Sequence, residues 1–196
     1  ILSGPRAEVA HPGCALVCHP HPLQGGAMSN KVTYTLASCA QKAGAYALRF
    51  NFRGVGRSAG PHDEGRGETG DVIFLAGWLR ERLPDAPLLL AGFSFGAWVS
   101  SHAAARVDPV ALVSIAPPFA RYRALAPPPS SPHCPWLVVQ GTDDEVVGYA
   151  ETVQALKEFA PSPQLVTMDG VGHFFHNRLS DLADAVQPFM QAHLAG

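Results

Sequence analysis

The stretch Leu88-Leu89-Leu90-Ala91-Gly92-Phe93-Ser94-Phe95-Gly96 narrows the possible folds of this chain more than any other part of it. An apolar run of strand length, opened by Pro87, leads into G-x-S-x-G, and Ala97 to Ala105 continue as a helix. A strand that reverses this sharply into a helix needs glycine where the two backbones nearly touch. The central residue is then held strained and exposed at the carboxyl edge of a sheet, above a helix N-terminus. A serine there presents its hydroxyl as a nucleophile, and the Phe95 N–H can help bind a developing oxyanion.

The rest of the chain supplies a sheet for that strand. Residues 1–13 hold at most an edge strand, and Cys14-Ala15-Leu16-Val17-Cys18 is a buried strand ending in the loop His19 to Gly26. Ser29 or Asn30 caps a helix through about Lys42, with Val32, Leu36, Cys39 and Ala40 on one face. Ala45 to Phe52 reads as a strand, and Glu68 to Leu83 as a helix striped by Val72, Leu75, Ala76, Leu79 and Leu83. Val110–Ala116 and Trp136–Gly141 are further apolar strands, separated by a proline-rich connection from Pro117 to Pro135. A helix through Phe159, a short strand Gln164–Met168 and a last helix from about Ser180 follow. Pro188 falls inside that last helix and should kink or split it.

Uninterrupted apolar strands alternating with amphipathic helices predict an α/β three-layer sandwich. Its central sheet is mostly parallel, with six or seven strands and helices on both faces. The 196 residues suit one domain, 1–196. In such sheets ligands bind beyond the carboxyl ends of the strands. His19/His21, Arg53, Ser94, Asp143/Asp144 and His173 all lie just after a strand, so they converge on one edge.

A formal charge of −2 with interspersed signs gives no footprint for nucleic acid, and no apolar stretch approaches the length of a membrane span. Four cysteines without C-x-x-C spacing read as packed, reduced thiols and suggest the cytoplasm. His19 and His21, two apart with no H-E-x-x-H or carboxylate partner, do not make a metal site, and no cofactor is expected. Arg53-Gly54-Val55-Gly56 lacks the lysine of a P-loop and the third glycine of a dinucleotide fingerprint, so it reads as structural. Glu68 and Asp71 at a helix start suit its dipole. His62, His102 and His133 are expected in surface or packing roles.

A serine hydroxyl needs a base, and the imidazole that serves needs a carboxylate to fix its tautomer. Ser94, then Asp143 or Asp144, then His173 supplies the three in the order Ser…Asp…His. With His19-Pro20-His21-Pro22-Leu23-x-Gly25-Gly26, Arg49-Phe50-Asn51-Phe52-Arg53-Gly54-Val55-Gly56-x-Ser58 and the elbow, the chain from Cys14 onward resembles the α/β-hydrolase superfamily. It looks most like small lidless hydrolases of the dienelactone-hydrolase-like branch, although dienelactone hydrolases proper use cysteine where this chain has Ser94.

The resemblance implies a serine hydrolase, a carboxylesterase acting on small acyl esters. Thioesterase or peptidase chemistry, or a ligand-binding member without catalysis, are the alternatives. The family's G-x-x-D-x-x-V pattern falls on Gly141–Val147 and selects Asp144 as the acid; its G-x-G-H pattern selects His173 over His176. The second oxyanion amide would be that of His21, since Pro20 and Pro22 have no N–H, with Leu23 as the fallback. The slot that carries a helical lid in many superfamily members is here the proline-dense 117–135 segment, which cannot form amphipathic helices. An open cleft is therefore expected, walled by Leu23, Trp98, Phe119, Tyr122 and Phe174. Nothing in the sequence fixes the oligomeric state.

Overall fold

A computed structural model describes residues 1–194. Seven strands form one sheet in the order β1-β3-β2-β4-β5-β6-β7. They are β1 (Leu2–Ser3), β2 (Cys14–Cys18), β3 (Tyr46–Arg49), β4 (Leu88–Phe93), β5 (Ala111–Ile115), β6 (Trp136–Gly141) and β7 (Gln164–Met168). Only β1 runs antiparallel to its neighbour. The helices are α1 (Lys31–Lys42), α2 (Arg66–Arg82), α3 (Phe95–Val107), α4 (Tyr149–Leu156) and α5 (Leu179–Leu194).

The apolar runs are continuous because both faces of the sheet are covered. Along β4, Leu89, Ala91 and Phe93 face the layer formed by α1 and α5, while Leu88 and Leu90 face α2 and α3. β2 divides likewise, Ala15 and Val17 one way and Cys14, Leu16 and Cys18 the other. The edge strand β7 has only Met168 fully buried and carries polar residues between its apolar ones. Sheet and helices thus form the expected three layers, with β2, β4 and β5 at the centre.

Several boundaries differ from the sequence reading. β3 stops at Arg49; Phe50 and Phe52 leave the ladder and pack edge-to-face on each other, 5.0 Å apart. α2 starts at Arg66, because the Glu68 carboxylate accepts the Gly65 and Asp63 N–H groups and fastens the loop to the first turn. α4 ends at Leu156, short of Phe159. Helix α5 runs unbroken past Pro188, so the proline does not split it. Packing of Leu182, Val186 and Met190 into the core holds the helix on both sides of the missing bond. Asn30 does cap α1, its side chain accepting from Val32 and Thr33 N–H at 2.9 and 3.2 Å. Residues 119–126, in the position of a lid, form turns and no helix.

Candidate active site

The G-x-S-x-G turn joins β4 to α3, and both of its glycines are obligatory. A Cβ on Gly92 would lie 2.3 Å from the Gly96 carbonyl oxygen, and one on Gly96 would lie 2.5 Å from the carbonyls of Cys18 and His19. Ser94 between them has φ 53° and ψ −120°. An L-residue rarely adopts that region, so the fold holds Ser94 under strain. Its N–H is tied to the Ile115 carbonyl at 2.8 Å, and the residue is 8 % exposed.

His173 reaches Ser94 from the loop after β7. Its Nε2 lies 3.0 Å from Ser94 Oγ, and its Nδ1 lies 2.9 and 3.1 Å from the two carboxylate oxygens of Asp144. An ionised carboxylate only accepts, so Nδ1 carries the proton and Nε2 is left to accept from the serine hydroxyl. The ring rests against Phe93, 5.0 Å between centroids. Asp144 sits in the turn after β6, where Oδ1 accepts the Val146 and Val147 amides at 2.9 and 2.7 Å, and Oδ2 accepts from Gln140 Nε2 at 3.0 Å. Burial pushes the Asp144 carboxyl upward, but the His173 hydrogen bond, those two amides and the His173 charge outweigh it and hold its pKa below the usual range. The neighbouring Asp143 is exposed, and among the described residues its carboxylate accepts only from the Thr142 hydroxyl.

Gln140 and Glu145 were not legible as site residues. Gln140 is fully buried at the end of an otherwise apolar strand and binds the Val147 carbonyl as well as Asp144. A lone amide in that run, just before the acid turn, is the signal that sequence reading passed over. Glu145 accepts the His173 backbone N–H at 3.2 Å and so ties the acid loop to the histidine loop.

Across Ser94 lies the loop after β2. His19 is buried and spends both ring nitrogens on backbone, Nδ1 on the Pro20 carbonyl at 2.7 Å and Nε2 on the Phe52 N–H at 2.9 Å. Burial lowers its pKa to about 4, against the pull of the Pro20 bond, so at neutral pH it is an uncharged clip between two loops. The amides of Gln24 and Gly26 bind the His21 carbonyl, and that of Leu23 binds His21 Nδ1. The amides of His21 and Phe95 have no protein acceptor among the described residues. Leu23, whose amide is occupied, exposes 74 % of its surface, and Phe174 exposes 47 %.

Two of the expected wall residues belong elsewhere. Phe119 is buried edge-on against Trp136 and Phe159. Trp98 is buried beneath Gly65, where a Cβ would meet the indole at 2.0 Å. Tyr122 is half-buried and stacks on Phe95 and Trp98. His62 has a packing role, one of the two expected for it. Its ring lies 5.0 Å from that of His21 and 5.5 Å from that of Phe95. His62 Nδ1 is 2.8 Å from the buried Glu68 carboxylate without making a hydrogen bond to it. Arg53 pairs with Asp71 through two bonds, at 3.0 and 2.6 Å, and anchors the glycine loop after β3 to α2.

All four cysteines are free; burial pushes Cys14 and Cys134 to about 11 and Cys18 higher still. Among the described residues no three of His, Cys, Asp and Glu are grouped to hold a metal ion, and no helix is long and apolar enough to cross a membrane.

Residues 22–134 match the model of the alpha/beta hydrolase fold family. A lidless α/β serine hydrolase from Xanthomonas campestris is 42% identical, with a TM-score of 0.92 over 100% of this chain and 88% of that one. An α/β serine hydrolase homologue from Coxiella burnetii is 36% identical, with a TM-score of 0.89 over 100% and 90%. An uncharacterized protein of Rickettsia prowazekii is 30% identical over 96% of this chain and 84% of its own length. The strained serine between β4 and α3, the sheet order and these likenesses agree: the chain belongs to the α/β-hydrolase family, in a form without a lid.

Proposed function

We propose that this protein is a serine hydrolase acting as a carboxylesterase on small acyl esters. The observation that carries the reading is the unbroken run of hydrogen bonds from Ser94 Oγ through His173 to Asp144. Ser94 attacks the ester carbonyl while His173 Nε2 takes its proton, and Asp144 stabilises the imidazolium that forms. The carbonyl oxygen, now an oxyanion, accepts from the Phe95 and His21 amides, which have no other acceptor among the described residues. Collapse expels the alkoxide, which leaves with the proton held on Nε2. Water then attacks the acyl-enzyme by the same route and frees the acid and Ser94.

The strained backbone at Ser94 supports the assignment, since such strain is kept where function needs it. The turns of 119–126 leave no cover for a deep acyl tunnel, which favours short acyl chains. Four free thiols fit a reducing compartment such as the cytoplasm. A fluorophosphonate probe should label the protein at Ser94, with p-nitrophenyl acetate and butyrate hydrolysed at a rate that the label abolishes. Label at another residue, or esterase activity that survives labelling, would refute the assignment.

A further inference from the structure

The two amides proposed to bind the oxyanion belong to residues whose side chains touch each other and share one neighbour. The His21 and Phe95 rings lie 4.9 Å apart, and the His62 ring lies 5.0 Å from the first and 5.5 Å from the second. The three rings close a triangle, with His62 supplied by the loop between β3 and α2. Phe95 does not depend on this contact alone. It is 1 % exposed, begins α3, and meets the rings of Phe52, Trp98 and Tyr122 at 5.8, 5.9 and 6.1 Å. His21 has less support. It is half-buried before the short turn Pro22–Gln24, and beyond Phe95 its ring meets those of His62 and, at 6.4 Å, Tyr122. Its carbonyl is held by the Gln24 and Gly26 amides, but its own N–H, the group that must be aimed, is bonded to nothing among the described residues.

The turn that carries His62 is fastened from below. Glu68, in the first turn of α2, is fully buried; Oε1 accepts the Asp63 N–H at 3.0 Å and Oε2 the Gly65 N–H at 2.9 Å. His62 Nδ1 lies 2.8 Å from that same Oε1. Between these anchors Glu64 takes φ 50° and Gly65 φ 92°, and a Cβ on Gly65 would meet the Trp98 indole at 2.0 Å. A non-glycine residue stays in the left-handed region only where its surroundings over-determine it. The carboxylate and the indole therefore fix the turn, and the turn fixes where the His62 ring stands.

An oxyanion donor is effective only if it is already aimed when the charge develops, within about 0.5 Å of its working position. Resting on the serine-hydrolase reading, we propose that His62 is a positioning residue for the oxyanion hole. Its ring, set by Glu68 and the 63–65 turn, wedges against His21 and Phe95 and keeps both amides aimed. It touches no reacting atom. Its contribution belongs to the tetrahedral state and is absent while the carbonyl is planar.

The test reads His62 variants with an ester and a pair of ketones. His62→Ala should lower kcat/KM for p-nitrophenyl acetate by about tenfold, part of the 10²–10³ that loss of a whole oxyanion donor costs. A trifluoromethyl ketone bonds its carbonyl carbon to Ser94 Oγ; the serine proton passes to His173 Nε2 and the carbonyl oxygen takes the electron pair as an oxyanion. The matching methyl ketone binds with its carbonyl planar. Affinity for the trifluoromethyl ketone should fall by the same factor as kcat/KM, and affinity for the methyl ketone should hold within about twofold. His62→Phe, which keeps a ring against His21 and Phe95, should recover most of the loss. Circular dichroism and thermal melts check that each variant is folded, and His62→Gln carries the same test if the alanine variant is not. Equal losses for the two ketones, as a general collapse of the cleft would give, would overturn the proposal. So would wild-type kcat/KM in His62→Ala, or a folded His62→Phe no more active than His62→Ala. In each of these cases the wild-type protein still cleaves the ester and takes a fluorophosphonate at Ser94. If it does neither, the hydrolase reading fails and the role of His62 with it.

Discussion

On the His173 side of Ser94 the side-chain polar groups of Ser94, His173, Asp144 and Gln140 are all hydrogen-bonded, whereas on the His21 side two amides and the His21 Nε2 meet no protein acceptor among the described residues. The first arrangement suits a proton relay, in which a fixed tautomer and a fixed carboxylate are needed before substrate arrives. The second suits charge that exists only once a substrate is bound or reacting. Rigidity comes from different sources as well. The relay is braced by Gln140 and Glu145, and the open side by a buried histidine, His19, beneath it.

If the relay is the engine, its removal gives the largest effect. Ser94→Ala should leave the fold intact, since it keeps Cβ and relieves no packing, and lower kcat on the order of 10⁴–10⁶, with the open side supplying the residual rate. Retention of more than about a tenth of the wild-type rate on a good ester would break the assignment. Asp144→Asn follows, with a loss in kcat on the order of 10³–10⁴, because an amide can present its N–H to Nδ1 and stabilise the wrong tautomer. Asp143→Asn should change little, its carboxylate being exposed and bound, among the described residues, only by Thr142. The reverse ranking of the two aspartates would place the acid one residue early.

Gln140→Leu tests whether the relay depends on its brace. Asp144 keeps His173 and two amides but loses the Gln140 donor, so kcat should fall roughly tenfold, in line with part of one charged hydrogen bond. A positioning role predicts an unchanged KM, since Gln140 lies behind Asp144 and does not meet substrate. A change confined to KM, or a kcat equal to that of the wild type in a variant with native circular dichroism, would remove Gln140 from the relay.

The contrast also explains what was legible in the sequence. The elbow is a short motif whose local geometry its own glycines set, so its spacing locates Ser94, while Asp144 and His173 were picked out by the patterns that the family resemblance implies. Both glycines of the elbow are needed for contacts of 2.3 to 2.5 Å with backbone, a constraint visible as two fixed letters. His62 and Glu145 depend instead on how separate loops lie over one another, and no spacing encodes that. Phe119 shows the same limit from the other side: an aromatic in a proline-rich loop can face cleft or core, and here Trp136 and Phe159 claim it. Pro188 misled because tertiary burial on both sides of it outweighs the lost backbone bond.

His19 lets the open side be probed through stability. A buried neutral imidazole with its pKa lowered from 6.5 to about 4 contributes its full stability above pH 6.5 and loses it as pH falls towards 4. Across that window the unfolded chain binds a proton that the folded one refuses, and the loss amounts to at most about 3 kcal/mol. Asp144, whose carboxyl is held below 3.8, acts only at still lower pH, so the two windows separate. Urea unfolding at pH 7, 5.5 and 4.5 should show the slope, and His19→Gln should flatten it while lowering stability at pH 7. An equal slope in the variant would mean that another group carries the proton.

The smallest effect concerns the length of an uncharged acyl chain, and it tests how open the His21 side is. Each methylene fully removed from water stabilises a bound state by about 0.8 kcal/mol, or roughly fourfold. A deep tunnel collects that gain at every added carbon, but an open cleft, with Leu23 and Phe174 exposed, collects only a fraction of it, and only near the carbonyl. With the lid position occupied by turns between Phe119 and Ala126, nothing encloses the far end of a long chain. In a p-nitrophenyl ester series from acetate to palmitate, kcat/KM should therefore rise less than about fourfold per added carbon pair, peak within about C2–C6, and gain nothing from dispersed lipid. A maximum at long chains, or a jump in rate above substrate solubility, would mean that the His21 side closes over its substrate and that the difference between the two sides vanishes once a ligand is bound.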